Sequence, residues 1–166
     1  MRDQVEFVDN LYRKFEDTES HDKVRFAAWC LHRAACLPIT AGVNLDELKR
    51  VAGQLKRVAG QLWDGDDPAG DEATITITAL DQTDEDAQAI ADELTESVVD
   101  ARLALNENDA EATARCAEHN LTILTFATYP DHEKVVAKEM DDQSKVAEKI
   151  IAAEGVTIDY LAPGAE

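Results

Sequence analysis

The stretch LDELKRVAGQLKRVAGQLW, residues 45–63, decides the fold class. Its apolar residues recur at spacings of three and four, which is the pattern of one helix face. Within it, the seven residues KRVAGQL at 49–55 are repeated at 56–62. Seven residues at about 100° each return to within about 20° of the starting face. The repeat therefore lengthens an amphipathic helix without turning its apolar stripe.

The repeat has two interpretations. In the first, it forms a coiled-coil-like seam in which Gly53 and Gly60 allow a partner helix to approach closely. In the second, it is a tolerated duplication inside an ordinary helix. A coiled coil is indicated by three to four heptads rather than two. We therefore favour the duplication.

The same apolar spacing predicts six helices in all, of which this stretch is helix 3. Their expected limits are about 3–17 for helix 1, Asp22 as the cap of helix 2, Asn44 as the cap of helix 3, Thr83 as the cap of helix 4, Asp109 to Tyr129 for helix 5, and Asp131 to Gly155 for helix 6. Residues 156–161 form a last apolar turn or short helix. Between helices 3 and 4, Thr74–Thr78 (TITIT) is strand-like. We favour an extended segment across the bundle over an edge strand that pairs with another chain.

Length and composition favour a single domain. The chain has 166 residues, and although 45% of them are hydrophobic only 5% are aromatic, with alanine alone contributing 26 residues. Such a core consists of small side chains on closely packed helices. The prediction is an all-α, single-domain bundle of about six helices over residues 1–161. The tail 162–166 is expected to fray.

The sequence shows no signal peptide or membrane span, which favours the cytoplasm. The first residues, MRDQVE, lack the apolar block of a signal peptide. No apolar run reaches the roughly 18 residues of a membrane span. The three cysteines contain no C-x-x-C pair, which fits free thiols in a reducing compartment. We therefore expect a cytoplasmic protein.

The charge of the chain is strongly negative and unevenly placed. The formal net charge of −19 excludes a generic nucleic-acid binder and disfavours an anionic membrane surface. Residues 64–111 hold 16 acidic side chains and one basic side chain, Arg102. Such a concentration favours a basic protein partner, while a merely solvated acidic face and adaptation to a saline habitat are the alternatives. The candidate partner-binding residues are Asp84, Glu85, Asp86, Asp92, Glu93, Glu96 and Asp100.

The sequence lacks two common catalytic motifs. None of the three serines lies in a G-x-S-x-G elbow, and no glycine-rich phosphate loop is present. We therefore predict a protein without catalytic residues or cofactor. Its most concrete role is an immunity or inhibitor protein that masks a basic toxin or nucleic-acid enzyme. A halophile-type housekeeping domain is another alternative.

A metal-binding or enzymatic domain is the remaining alternative. It uses His32 and Cys36 on helix 2 with Cys116 and His119 on helix 5. Each pair falls on one helical face, and imidazole and thiolate are the ligands of tetrahedral Zn²⁺. Buried cysteines and histidines are, however, common in helical cores. The carboxylates of Glu139, Asp141 and Asp142 are predicted to be surface charges.

Helix 2 also carries a family resemblance. The text HDKVRFAAWCLHRAACLPI resembles the signature of the YjaG-like family of small all-helical bacterial proteins, with matches at Phe26, Ala28, Arg33, Leu37 and Pro38. The segment KVVAKEMDDQSKVAEKI is similar to the family's E-M/W-x-x-Q segment at Glu139, Met140 and Gln143. His32 stands where the family usually has Glu. The resemblance implies an all-helical fold and supplies no activity.

Overall fold

Six α-helices make up the fold. The computed structural model describes residues 3–37, 45–68 and 85–162, and no strand occurs within these ranges. The helices are α1 (Gln4–Glu16), α2 (Ser20–Ala34), α3 (Leu45–Trp63), α4 (Glu85–Glu107), α5 (Ala110–Thr128) and α6 (His132–Ile151). The prediction of an all-α, single-domain bundle is confirmed.

Helices α2 and α5 form the inside of the bundle. Helix α2 packs against α3, α4, α5 and α6, and α5 packs against α1, α2, α4 and α6. Both present small buried side chains to their neighbours, among them Ala27 and Ala28 of α2 and Ala114 and Ala117 of α5. Small side chains let neighbouring backbones approach on several sides at once. These alanines therefore allow α2 and α5 each to pack against four other helices.

The buried aromatic side chains gather where α1 meets α2. The ring centroids of Phe15 and Phe26 lie 4.8 Å apart, and those of Phe26 and Trp29 lie 6.3 Å apart. Phe7 and Leu11 continue this apolar face along α1. Burying a side chain of this size contributes about 1.5–3 kcal/mol. The contact therefore anchors α1 to the centre of the bundle.

The repeat in α3 keeps its register in the structure. Val51 and its copy Val58 are both buried, as are Leu55 and its copy Leu62. A Cβ atom built on Gly53 or Gly60 would meet no atom within 4 Å. Among the described residues, no helix therefore approaches either glycine closely, and a seam with a partner helix stays a prediction.

Of three predicted helix ends, one is confirmed and two are wrong. Asp109 caps α5 as predicted, accepting a hydrogen bond from the Ala112 N–H at 3.0 Å. Asp22 is not a cap, because α2 begins two residues earlier and Asp22 lies in its first turn. Helix α6 ends at Ile151 rather than at Gly155, because Ala153 takes a left-handed conformation with φ of 58°.

The segment that follows α6 lies against α2 as turns. The indole Nε1–H of Trp29 donates to the Tyr160 carbonyl oxygen at 2.8 Å. The Arg33 guanidinium donates from Nη1 to the Leu161 carbonyl oxygen at 2.7 Å. Two side chains of α2 therefore hold residues 160 and 161 through their main chain.

Some predictions fall outside the described residues. They concern Asn44, Thr83, the Thr74–Thr78 segment, the chain around Pro38 and the tail from 163 onward. Among the described helices, none has the length and apolar character needed to cross a membrane.

Candidate functional site

The carboxylates of α4 divide into two sets. Glu85, Asp92 and Glu96 are exposed, and their spacings of seven and four residues place them on one side of the helix. We call these three residues the acidic stripe. Glu93 and Asp100, also seven residues apart, face the neighbouring helix α5 instead. One helix thus supplies both an outward row of charge and an inward pair.

His119 of α5 lies between the two inward carboxylates. Its Nδ1 is 2.5 Å from Glu93 Oε2, and its Nε2 is 2.7 Å from Asp100 Oδ2. Arg115, one turn earlier on α5, donates to both oxygens of Asp100 at 3.0–3.2 Å. Glu93, Asp100, Arg115 and His119 together are called the α4–α5 cluster. It pairs two acidic with two basic side chains across one helix interface.

The electrostatics of this cluster favour its ionised form. Burial works to raise the pKa of Asp100, but hydrogen bonds from His119 and Arg115 outweigh it and the pKa is lowered. Burial likewise works to lower the pKa of His119, but the hydrogen bonds to Asp100 and Glu93 outweigh it and the pKa is raised. A doubly protonated ring can donate to both carboxylates at once. The cluster is therefore an ion-pair network that joins α4 to α5.

The structure separates the four residues predicted as an alternative metal site. His32 is half-buried and interacts electrostatically with Lys56 and Asp159. The ring nitrogens of His119 contact the carboxylates of Glu93 and Asp100 instead. Cys116 is fully buried, and burial raises the pKa of its thiol far above the usual range, so the thiolate needed by a metal is disfavoured. The predicted grouping of His32, Cys36, Cys116 and His119 is wrong.

A different set of potential metal ligands does converge. One ligand atom each from Glu93, Glu96 and His119 lies within 4.8 Å of the others. Within residues 3–37, 45–68 and 85–162, this is the one group of three or more histidine, cysteine or carboxylate ligands that meets this condition. His119 thus keeps the role of candidate ligand, but with α4 carboxylates instead of cysteines.

The predicted partner-binding residues do not all share one surface. Asp100 is 7% exposed and held by Arg115 and His119, so its assignment to an exposed binding face is corrected. Glu93 is half-buried against His119. Asp84 and the side chain of Asp86 lie outside the described residues. The acidic stripe is what remains of the predicted face.

Two further features define the surface around the acidic stripe. Val99, three residues after Glu96, is 54% exposed. Arg102 is bound by both oxygens of Asp67, at 3.0 and 3.3 Å. The lone basic residue between 64 and 111 is therefore already neutralised by a local partner.

A second buried ion cluster joins α2 to α6 and was not predicted. Arg33 donates to Glu139 at 3.0 Å and to Asp142 at 2.9 Å. Burial raises the pKa of Glu139, even though Arg33 works to lower it. We call Arg33, Glu139 and Asp142 the α2–α6 cluster. The prediction that Glu139 and Asp142 are surface charges is wrong, whereas Asp141 is exposed as predicted.

The signal for this second cluster lies in the spacing along α6. Glu139 and Asp142 fall among Val136, Val146 and Ile150 on the buried side of the helix. Arg33 is among the buried residues of α2, where a charged side chain requires a partner. Together these patterns indicate buried ion pairing.

Comparison with known proteins finds no matching family model, no matching curated protein and no matching solved structure. The resemblance to the YjaG-like family therefore stays a prediction.

Proposed function

We propose that this protein is a non-catalytic binding protein that holds a basic protein partner through the acidic stripe of α4. The observation that carries the proposal is the outward placement of Glu85, Asp92 and Glu96 on one ordered helix. Among the described residues, no cation lies within ion-pair distance of Asp92 or Glu96. These charges are therefore available to a partner.

The dimensions of the stripe suit a row of lysine or arginine side chains. Glu96 lies 11 positions after Glu85, which corresponds to about 16 Å along the helix. A helix holds its carboxylates at fixed spacing, so a complementary basic surface is attracted before contact and oriented on arrival. Such complementarity raises association rates more than it raises affinity itself.

Val99 supplies an apolar contact beside these charges. Protein interfaces typically combine an apolar centre with a polar, charged rim. Val99 lies one turn beyond Glu96 on the same side of α4 and is the most exposed large apolar side chain of that helix. An interface centred near Val99 would bury it while leaving the acidic stripe at the rim.

The most concrete form of this proposal is an immunity or inhibitor role. A toxin or nucleic-acid enzyme that binds phosphates carries a basic surface. A row of fixed carboxylates competes for that surface by charge. Inhibition then needs no chemistry in the present chain.

A charge-reversal experiment tests the proposal. The triple variant Glu85→Lys, Asp92→Lys and Glu96→Lys reverses the acidic stripe. A matched control reverses three exposed acids elsewhere, Glu6, Glu16 and Glu133, and changes the net charge equally. Partners captured by the wild-type protein from the cells that express it are purified, and their association is measured at several salt concentrations.

We expect the stripe variant to associate at least about 10-fold more slowly with the purified partner, and the control to be much less affected. The wild-type rate is expected to fall as salt rises. For the inhibitor role, loss of binding must coincide with recovery of the partner's activity. A partner that binds all three proteins equally, or with no dependence on salt, contradicts the proposal.

A further inference from the structure

We propose that Glu93, Glu96 and His119 form a binding site for one divalent transition-metal ion, with Zn²⁺ as the ion that fits the ligand set. The inference starts from geometry, since one ligand atom from each of the three side chains lies within 4.8 Å of the others. It does not depend on the proposed protein partner.

The arrangement around His119 matches that of a metal-bound histidine. In metal sites, the second ring nitrogen usually donates to a carboxylate, which fixes the tautomer and the orientation of the ring. Here Nε2 contacts Asp100 at 2.7 Å, and Asp100 is itself fixed by Arg115. On binding, the metal ion displaces the proton that lies between Nδ1 and Glu93, and this proton passes to solvent. The Nε2 proton stays with Asp100, so the Nδ1 lone pair that is set free can coordinate the ion.

A small movement makes room for the ion. Two ligands about 2.1 Å from a tetrahedral Zn²⁺ are about 3.4 Å apart, whereas Nδ1 and Glu93 Oε2 are 2.5 Å apart. A shift of about 1 Å is therefore required. The half-buried side chain of Glu93 and the exposed side chain of Glu96 can supply it by rotation, because His119 is held from the other side.

The ligand chemistry selects the kind of ion. Imidazole favours Zn²⁺ and related transition metals over Mg²⁺ and Ca²⁺, which prefer oxygen ligands alone. Two carboxylates and one imidazole make three protein ligands. Because Glu96 is exposed, the remaining coordination position is open to water, as it is in zinc sites with three protein ligands.

The test titrates the full-length protein, stripped of metal with a chelator, with Zn²⁺ alone and with Mg²⁺ alone in a calorimeter. The variants Glu96→Gln and His119→Gln each remove one ligand, and Asp100→Asn removes the carboxylate that orients the ring. Glu107→Gln and Glu118→Gln are matched controls, because both residues are exposed acids on the same two helices. Thermal unfolding of every variant establishes that it is folded.

We expect saturable binding of one Zn²⁺ per chain and much weaker binding of Mg²⁺. Zn²⁺ binding is lost in Glu96→Gln and His119→Gln, weakened about 10- to 100-fold in Asp100→Asn, and unchanged in both controls. Glu96 is exposed, so its variant gives a clear result even if His119→Gln does not fold.

Three results would overturn the site. They are a wild-type protein that binds no Zn²⁺, a Glu96→Gln variant that binds Zn²⁺ like the wild type, and equal affinity for Mg²⁺ and Zn²⁺. Because no partner protein is present, none of them bears on the proposed protein-binding function. Conversely, reversing Glu85 and Asp92 alone is expected to weaken partner association while leaving Zn²⁺ binding intact.

Discussion

Glu139 and Asp100 are both buried carboxylates that receive hydrogen bonds from an arginine, yet their pKa values move in opposite directions. Burial raises the pKa of Glu139. For Asp100, hydrogen bonds from His119 and Arg115 overcome burial and lower the pKa. Burial alone therefore does not decide the ionisation of these groups.

The difference lies in how many cationic side chains donate hydrogen bonds to each carboxylate. In the α2–α6 cluster, Arg33 is shared among Glu139, Asp142 and the Leu161 carbonyl. In the α4–α5 cluster, Asp100 receives hydrogen bonds from both Arg115 and His119. The comparison teaches that the hydrogen bonds a buried acid itself receives from cations, weighed against its burial, decide the direction in which its pKa moves.

The largest expected effect comes from removing the shared cation. Arg33→Met leaves Glu139 and Asp142 buried without their common partner, and we expect a loss of about 3–5 kcal/mol in the free energy of unfolding. Urea denaturation measures it. The control Arg13→Met removes an exposed pair with Asp9 and is expected to cost less than about 1 kcal/mol. Similar losses for both variants would mean that Arg33 is not the centre of a buried cluster.

Asp100→Asn is expected to have a smaller effect. It removes the negative charge and one of the two acceptor oxygens that Arg115 and His119 share, at a cost of about 2 kcal/mol. The cost is lower than for Arg33 because the Arg115 side chain is 35% exposed and can reach solvent. Urea denaturation of Asp92→Asn, an exposed acid on the same helix, provides the reference. A loss for Asp100→Asn equal to that of Arg33→Met would remove the contrast between the clusters.

The pKa of Glu139 predicts a pH dependence of the unfolding free energy. Its folded pKa is raised above the ordinary value of 4.5, so the folded protein keeps the proton where the unfolded chain has lost it. The stabilising contribution is therefore full below about pH 4.5 and declines as pH rises through the folded pKa.

The stability of the wild type relative to Glu139→Gln should accordingly fall as pH rises from about 4.5 through the raised folded pKa. Urea denaturation across this range measures the difference. Glu133→Gln, which replaces an exposed acid near the start of α6, is measured in parallel as the reference. A relative stability that rises with pH would place the shift of the Glu139 pKa in the opposite direction.

The smallest effect is expected for Lys138→Met. Lys138 contacts Asp142 at 2.8 Å, but its side chain is 73% exposed, so solvent screens the pair and its loss should cost less than about 1 kcal/mol. Thermal unfolding suffices to compare it with Arg33→Met. A cost near that of Arg33→Met would show that Asp142 depends on two cations, as Asp100 does.

The sequence predicts single helices better than it predicts which helices meet. The apolar period placed the buried Val51 and Val58 correctly, and local chemistry identified Asp109 as a cap. Both features depend on residues within a few positions of one another. A single stretch of sequence is therefore enough to predict them.

The clusters depend on helix pairing over longer distances. The predicted inner side of α5 correctly included His119, but nothing in the sequence indicated that it faces α4. Only the alternative metal site placed it near Cys36. Arg33 and Glu139 are separated by 106 positions, and no periodicity within α2 or α6 specifies that they meet. Glu139 was predicted to be exposed because carboxylates usually are, although its position falls on the buried side of α6.

The hydrogen bonds from Trp29 and Arg33 to residues 160 and 161 constrain the chain by length rather than by composition. Both acceptors are carbonyl oxygens, which every amino acid provides. Exchanging Tyr160 or Leu161 for another residue leaves the acceptors in place, whereas one residue inserted after Ile151 moves both out of register with α2. This part of the chain is therefore expected to tolerate substitution and to resist insertion or deletion.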